Sequence, residues 1–508
     1  MARPDPHSVF DDAQPRVRRL DWRARLDFDA RVIAGEARLT IDGAGDLLDL
    51  DARDLTIEHV GDEAGGKLAI ELGAPCGFMG QRLRVMRPPR VVVIRYRTSP
   101  AAMALHWSNQ SVYSQCQPIH ARTIVPLPDS PSSRLAWRAE LTVPSGLTAS
   151  TALTAATEEP VAPYLVAFAV GEYVARELSP RSRVWAAPAL VEDAARALAA
   201  VDLERLVGEA ERLFGPYAWG RFDLLIAPRS FPHGGMENPR LAFLSPTLLD
   251  DRAALLSVVA HELAHAWSGN LVTAASAEHF WLNEAFTVWG ERRLIAALAG
   301  EEAARAHAAA GRRALDGAIG AFVAAGQAER TQLRLALDGV DPDEGVSIVP
   351  YEKGYLMLRA LEEAIGADAF AALARDWFAR FAGQAVTTAD FHAFAAARAP
   401  GFDFEDWLNQ SGLPAGVVSD GSTGEPEAAV TLSENWSNQL TVGRIKLLRP
   451  IYLALCRDPA RRAEAARLYR QHRDGYHPIA RQQLERLFRE QGVAVEEVKP
   501  LGLGRRPT

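Results

Sequence analysis

Apolar residues take every second position in Leu135-Ala136-Trp137-Arg138-Ala139-Glu140-Leu141-Thr142-Val143. That is the period of a strand with one buried and one solvated face. Ile33 to Ile41 alternates more weakly, with Glu36, Arg38 and Thr40 on the polar face, and Val91-Val92-Val93-Ile94-Arg95-Tyr96 follows the breaker Pro88-Pro89 as a further strand. Such strands predict antiparallel sheet, so residues 1–185 are expected to form a β-rich domain. From Val191 the apolar period lengthens. Leu198, Val201, Leu203, Leu206, Val207 and Leu213 mark one helical stretch from Glu192 to Phe214, closed by Gly215-Pro216. Phe222 to Ala227 reads as a strand feeding the loop Pro228 to Pro239. The unbroken apolar run Ala253 to Ala260 then predicts a buried helix, and helices continue to about Trp407. Residues 186–412 are therefore expected to be a mixed α/β domain. The polar, Gly- and Ser-rich residues 413–434 read as a linker, and 435–508 as a short helical domain with Pro450, Pro459 and Pro478 near helix starts. The fold class is multidomain α+β.

Composition narrows this picture. A chain of 508 residues should hold several domains. At 48% hydrophobic and 24% charged it reads as a soluble globular protein, and the net charge of −8 argues against a general nucleic-acid binder. Cys76, Cys116 and Cys456 show neither a disulfide framework nor a metal pattern, which fits a reducing compartment and buried apolar roles for all three. The first residues lack a signal-peptide core, and no apolar stretch has membrane-spanning length, so a cytoplasmic location without membrane association is expected. The sequence is compatible with a monomer and does not decide the oligomeric state.

The run Ala253 to Ala260 leads into His261-Glu262-Leu263-Ala264-His265. On a helix, this H-E-x-x-H spacing puts both imidazoles on one face, where they suit two nitrogen ligands of Zn²⁺ beside a carboxylate that handles the proton of a bound water. The bland alternative is a buried helix whose histidines merely pack. Eighteen residues separate His265 from Glu284, which lies within Phe280-Trp281-Leu282-Asn283-Glu284-Ala285-Phe286. Ser268-Gly269-Asn270 gives the chain somewhere to turn back, and a carboxylate from the next helix would complete a His₂Glu set. A solvated surface glutamate is the competing reading, but burying a charge among Phe280, Trp281 and Phe286 is sensible only beside a cation.

Further on, Gly234-Gly235-Met236-Glu237-Asn238-Pro239 is a Gly-rich turn, and Val349-Pro350-Tyr351 places a tyrosine at an expected helix start. Together with the pentad, Glu284 and Gly269-Asn270-Leu271-Val272-Thr273, these segments resemble the M1 (gluzincin) family of zinc aminopeptidases. Gln115-Cys116-Gln117-Pro118-Ile119-His120, Asp341-Pro342-Asp343 and Gly443-Arg444-Ile445-Lys446 are similar to its leukotriene A4 hydrolase/aminopeptidase B subfamily.

The resemblance implies an N-terminal antiparallel β domain, a thermolysin-like catalytic domain and a C-terminal helical domain, here shortened. It implies one Zn²⁺ held by His261, His265 and Glu284, with Glu262 as general base and acid and Tyr351 stabilising the oxyanion. Glu237, in the turn with Gly234, Gly235 and Met236, would bind the free α-amine of a peptide substrate. Gln117 would line the first side-chain pocket, Asp343 would favour basic or hydrogen-bonding side chains, and Arg444 and Lys446 would take the C-terminal carboxylate of short peptides. Alternatives stand beside these roles: a packed Tyr351, a Glu237 that anchors its turn, an ordinary turn aspartate at 343, and a solvated basic pair. His233 and Val346 stand where the hydrolase has tyrosines, and Ala285 replaces the glycine that usually follows the zinc glutamate. The first two alter the pocket wall and weaken the alternative activity of the subfamily, epoxide hydrolysis. A non-catalytic scaffold is the other alternative, and the presence of every ligand and acid–base residue argues against it.

Overall fold

A computed structural model of the chain describes residues 5–108, 110–151, 159–345, 347–415, 417 and 445–495. In Val32–Asp42 burial alternates almost residue by residue, as the sequence pattern requires. This strand pairs antiparallel with Arg16–Asp27 and Val91–Arg97, and Thr56–Gly61 forms one edge of the sheet. Ala136–Thr142 forms the other edge and runs parallel to Arg16–Asp27, a departure from the purely antiparallel expectation. The reason is its long return path, since a parallel neighbour needs a crossover. That path builds a sheet of Leu47–Ala52, Gln81–Met86 and Ile70–Leu72, and contributes Leu105–Trp107 and Val112–Ser114 to another with Thr148–Thr151 and Phe168–Gly171.

The sheet nearest the chemistry holds Ser182–Ala186, Asp223–Ile226 and Leu241–Leu244 in parallel. Val174–Ser179 and the two-residue strand Gly235–Met236 lie antiparallel at its edges. The expected helix from Glu192 to Phe214 is two helices, α1 (Val191–Ala199) and α2 (Leu203–Phe214). Asp202 separates them: it adopts φ 57° and its side chain accepts from Arg205 N. An aspartate tolerates the left-handed region and caps the new helix, so the polypeptide restarts rather than continues.

Seven more helices follow in this part of the chain: α3 (Arg252–Ala264), α4 (Trp281–Ala299), α5 (Glu301–Ala324), α6 (Val349–Ile365), α7 (Ala367–Arg380), α8 (Thr388–Ala396) and α9 (Phe404–Asn409). Helix α4 is the axis of the core, buried without interruption from Trp281 to Arg292. Phe286 meets Phe378 edge-on at 5.3 Å and Phe391 at 5.6 Å, while Trp289 meets Phe214 at 5.8 Å. Aromatic burial on this scale is what positions the polar groups of α4; truncating Phe286 to Ala should cost about 3–5 kcal/mol.

Two compact units emerge from the tertiary contacts, Met1–Ala227 with Gly235–Pro426, and Pro228–Gly234 with Glu427–Thr508. In the second, helices Ile445–Arg457, Arg462–His472 and Pro478–Glu490 enclose Leu448, Tyr452, Leu455, Tyr469, Leu484 and Phe488. Pro478 opens its helix and Pro459 opens a short 3-10 turn, as expected. Pro450 instead lies six residues into its helix. The helix continues across it with Leu448, Ile451, Tyr452 and Leu455 buried in the core of this unit. The expected linker 413–434 lies mostly outside the described residues. Cys116 and Cys456 are buried, but Cys76 is exposed, contrary to expectation, because it precedes the surface turn Gly77–Met79. No described helix is long and apolar enough to cross a membrane.

Candidate metal centre and active site

Asp251 starts α3 by accepting from Ala254 N at 3.0 Å, and the helix runs unbroken through the pentad. His265 closes it with helical angles (φ −59°, ψ −19°), so its ring stays on the face of His261, with centroids 4.8 Å apart. The chain then reverses at Ser268-Gly269-Asn270, where Gly269 takes φ 123°, a conformation costly for any side chain. Ser268 Oγ donates to Leu282 O and Asn283 O, and Asn283 Oδ1 accepts from Ala274 N at 2.8 Å. These bonds tie the turn to the start of α4 and bring Glu284 over the histidines.

Three ligand atoms converge there. His261 Nε2 and His265 Nε2 are 3.2 Å apart, and each lies 3.5 Å from Glu284 Oε2. Ligands about 2.0–2.1 Å from a tetrahedral zinc stand about 3.3–3.4 Å from one another, so the spacing fits. The outer nitrogens agree. His265 Nδ1 donates to Ser268 O at 2.8 Å, and His261 Nδ1 lies 3.0 Å from Glu291 Oε2. With both Nδ1 positions protonated, two nitrogen lone pairs and a carboxylate oxygen face one point. Glu284 Oε2 is buried without a hydrogen-bond partner, the state of an atom whose partner is a cation. Burial alone would raise the Glu284 carboxyl, but the imidazoles of His265 and His261 hold it down at about 2.

The residues expected to act on a substrate surround this point. Glu262 is buried, and burial pushes its carboxyl up to about 8, against the pull of the two imidazoles and with help from Glu237 and Glu284. Gly235 is needed beside it, since a Cβ at 235 would overlap the Glu262 carboxylate. Oxygens of Glu237 and Glu262 and a ring nitrogen of His265 lie within 4.8 Å of one another. Gln117 Nε2 donates to Glu237 Oε1 at 3.2 Å, and Asn270 Nδ2 to Glu237 O at 2.8 Å. Met236 Sδ accepts from Gln115 Nε2. Tyr351, third residue of α6, stacks on His261 at 6.0 Å and meets Phe280 edge-on. Burial and the surrounding carboxylates raise its hydroxyl well above the usual range, so it remains a donor.

Asp343 lies in the 3-10 turn Pro342–Glu344, with Oδ2 3.0 Å from His120 Nε2. Gly234 and His233 fall in the segment grouped with the second unit. Val346, Arg444 and the side chain of Lys446 lie outside the described residues. Ala285 is buried, and a Cβ at Gly354 of α6 would come within 2.7 Å of its own, so the alanine occupies space that a glycine leaves free.

One support was missed in the sequence. Glu291 Oε1 accepts from Ser257 Oγ at 2.5 Å and lies 3.1 Å from His307 Nε2, while its other oxygen holds His261. Burial opposes ionisation, yet these partners keep Glu291 well below the usual carboxylate range. The signal was its spacing: seven residues beyond Glu284 is nearly two helical turns, hence the same face.

Comparisons with known proteins place the chain in a family. Residues 200–406 match the peptidase family M1 domain, and residues 423–488 match the C-terminal domain of leukotriene A4 hydrolase. The chain is 33% identical to leukotriene A-4 hydrolase of Xenopus laevis, over 85% of this chain and 77% of that protein. It is 34% identical to leucine aminopeptidase 2 of Emericella nidulans, over 73% of this chain and 66% of that protein. The solved yeast LTA4 hydrolase in complex with bestatin superimposes with a TM-score of 0.77 at 27% identity, covering 96% of this chain and 84% of that one. The chain belongs to peptidase family M1, whose members are zinc-dependent.

Proposed function

We propose that this chain is a zinc aminopeptidase that hydrolyses the first peptide bond of short peptides bearing a free N-terminus. One observation carries the reading: a buried carboxylate, Glu237, stands within 4.8 Å of Glu262 and His265. In a peptide one carbon separates the α-nitrogen from the first carbonyl carbon. An α-ammonium held by Glu237 therefore puts that carbonyl beside the His261, His265 and Glu284 set, and a chain continuing upstream would offer that carboxylate an uncharged amide instead.

Zinc in that set would polarise the carbonyl and acidify a water. Glu262 takes the water's proton and returns it to the leaving amine, a role suited by a carboxyl that burial holds near neutrality. Tyr351 donates to the oxygen on which charge develops, and Gln117 orients Glu237. Arg444 and Lys446 belong to the same reading as holders of a short peptide's C-terminal carboxylate. A cytoplasmic location is part of it too, supported by three free thiols. The test is turnover of aminoacyl-arylamides, expected to be abolished by chelation and by N-acetylation of the substrate, and inhibited by bestatin. Absence of chelator-sensitive turnover across a broad panel would sink the reading.

A second reading is epoxide hydrolysis at the same centre. It is favoured by the 33% identity to leukotriene A-4 hydrolase and by an apolar cavity lined by Gln117 and Phe280. Diol formation from a fatty-acid epoxide, measured without peptide, distinguishes the two.

A further inference from the structure

Helix α5 contributes none of the three converging ligand atoms, yet one of its side chains reaches the support behind them. His307 Nε2 lies 3.1 Å from Glu291 Oε1 and 3.2 Å from Ser257 Oγ. The other oxygen of Glu291 lies 3.0 Å from His261 Nδ1. His307 is therefore two contacts from a candidate metal ligand, through a carboxylate that is itself buried.

The neighbour on the far side of the ring decides which nitrogen carries its proton. Arg292 Nε donates to His307 Nδ1 at 3.4 Å, and a guanidinium has no acceptor, so Nδ1 offers its lone pair. The proton then sits on Nε2, facing Glu291 Oε1. Arg292 is itself held. Its Nη2 donates to both oxygens of Glu352, and its guanidinium lies 3.9 Å over the Tyr355 ring. One turn beyond His307 on α5 stands Gly311, where a Cβ would overlap Glu352 Oε1 and Arg292 Nη2. The bare backbone at 311 lets α5 close on this ion pair and carry His307 to Glu291. With Ser257 Oγ also donating to Oε1, two donors fix that end of the carboxylate, and Oε2 is left for His261.

We propose that His307 is a positioning residue of the metal centre: held as its Nε2–H tautomer by Arg292, it fixes the Glu291 carboxylate that orients His261. The proposal rests on the zinc assignment of this centre and is independent of which bond the enzyme cleaves. The competing role is a histidine that merely covers a buried acid, since its side chain is 32% exposed.

The test reads zinc affinity by metal-buffer titration of the metal-free full chain, beside a melting curve of the same preparation. His307→Ala should weaken zinc binding by roughly tenfold. His307→Gln, whose amide can donate to Glu291, should return the affinity to within about threefold of wild type. Combined with Glu291→Gln, His307→Ala should add no further loss, because the carboxylate through which it acts is already weakened. Unchanged zinc affinity in His307→Ala overturns the proposal, whatever happens to the melting temperature. So does a double variant whose loss is the product of the two single losses. If His307→Ala does not fold, His307→Phe keeps the ring volume without the nitrogens and is read the same way. Failure of the wild-type chain to bind zinc at all overturns the zinc assignment itself, and this proposal with it.

Discussion

Helices α2 and α4 touch through Phe214 and Trp289, yet they are built on opposite plans. Helix α2 buries Leu203, Leu206, Val207, Ala210 and Phe214 on one face and leaves its charges to solvent. Helix α4 buries every residue from Trp281 to Arg292, including Asn283, Glu284, Thr287, Glu291 and Arg292. Each of these polar groups except Glu284 has a hydrogen-bond partner from another element or from its own backbone. Asn283 takes Ala274 N, Thr287 Oγ1 donates to Asn283 O, and Arg292 Nη2 donates to both Glu352 oxygens at 2.7 and 2.8 Å while lying over the Tyr355 ring. Glu291 has His261 and His307, and Glu284 Oε2 is left facing the point where the two imidazoles converge. A helix such as α2 supplies burial; a helix such as α4 supplies charges held in place by burial, and so carries chemistry.

The contrast can be broken at several points. The largest effect belongs to Glu284→Gln, which removes the charge that balances a cation. Metal analysis should show loss of stoichiometric zinc, with turnover down by at least about 10³-fold, while retention of both would separate α4 from the chemistry. Glu291→Gln keeps the shape but weakens the hold on His261. It should lower metal affinity by roughly 10–100-fold with a near-normal melting curve, and an unchanged affinity in a metal-buffer titration would make Glu291 a packing residue.

Lys353 on α6 sharpens the comparison from another side, because its partners are the carbonyls of Thr331 and Gln410 rather than carboxylates. Burial lowers its ammonium to about 8. The unfolded chain therefore holds a proton that the folded one releases between about pH 8 and the ordinary lysine value of 10.5. Stability from this group is poorest below pH 8 and improves as pH rises through that window. Denaturant melts of wild type and Lys353→Met across pH 7–10 should differ in slope accordingly, and parallel curves would refute the assignment. The smallest effect belongs to exposed positions of α2: Arg205→Ala should shift stability by no more than about 0.5 kcal/mol in the same melts.

The same contrast explains what could be read in advance. Strands with one wet face, such as Val32–Asp42, announce themselves by alternation, and α2 by its period. The candidate metal ligands were legible because His261, His265 and Glu284 sit at spacings that helix geometry translates directly into proximity. Glu291 was passed over because α4 mixes polar and apolar residues around its whole circumference, so no periodic face singles out a buried acid. The break at Asp202 was missed because apolar spacing continues across it, and only the backbone angle reveals the restart.

The chain by itself determined the helical pentad, the carboxylate on the following helix and the Gly-rich turn before Glu237, since each depends on local geometry repeated over a few residues. Only the tertiary structure decided that Gln117 supports Glu237, that His120 takes up Asp343, and that Asp5 and His7 reach a cavity beside residues more than two hundred positions away in sequence. Those contacts are set by how sheets and helices close around α4, and no periodicity along the chain encodes which distant residues share a wall.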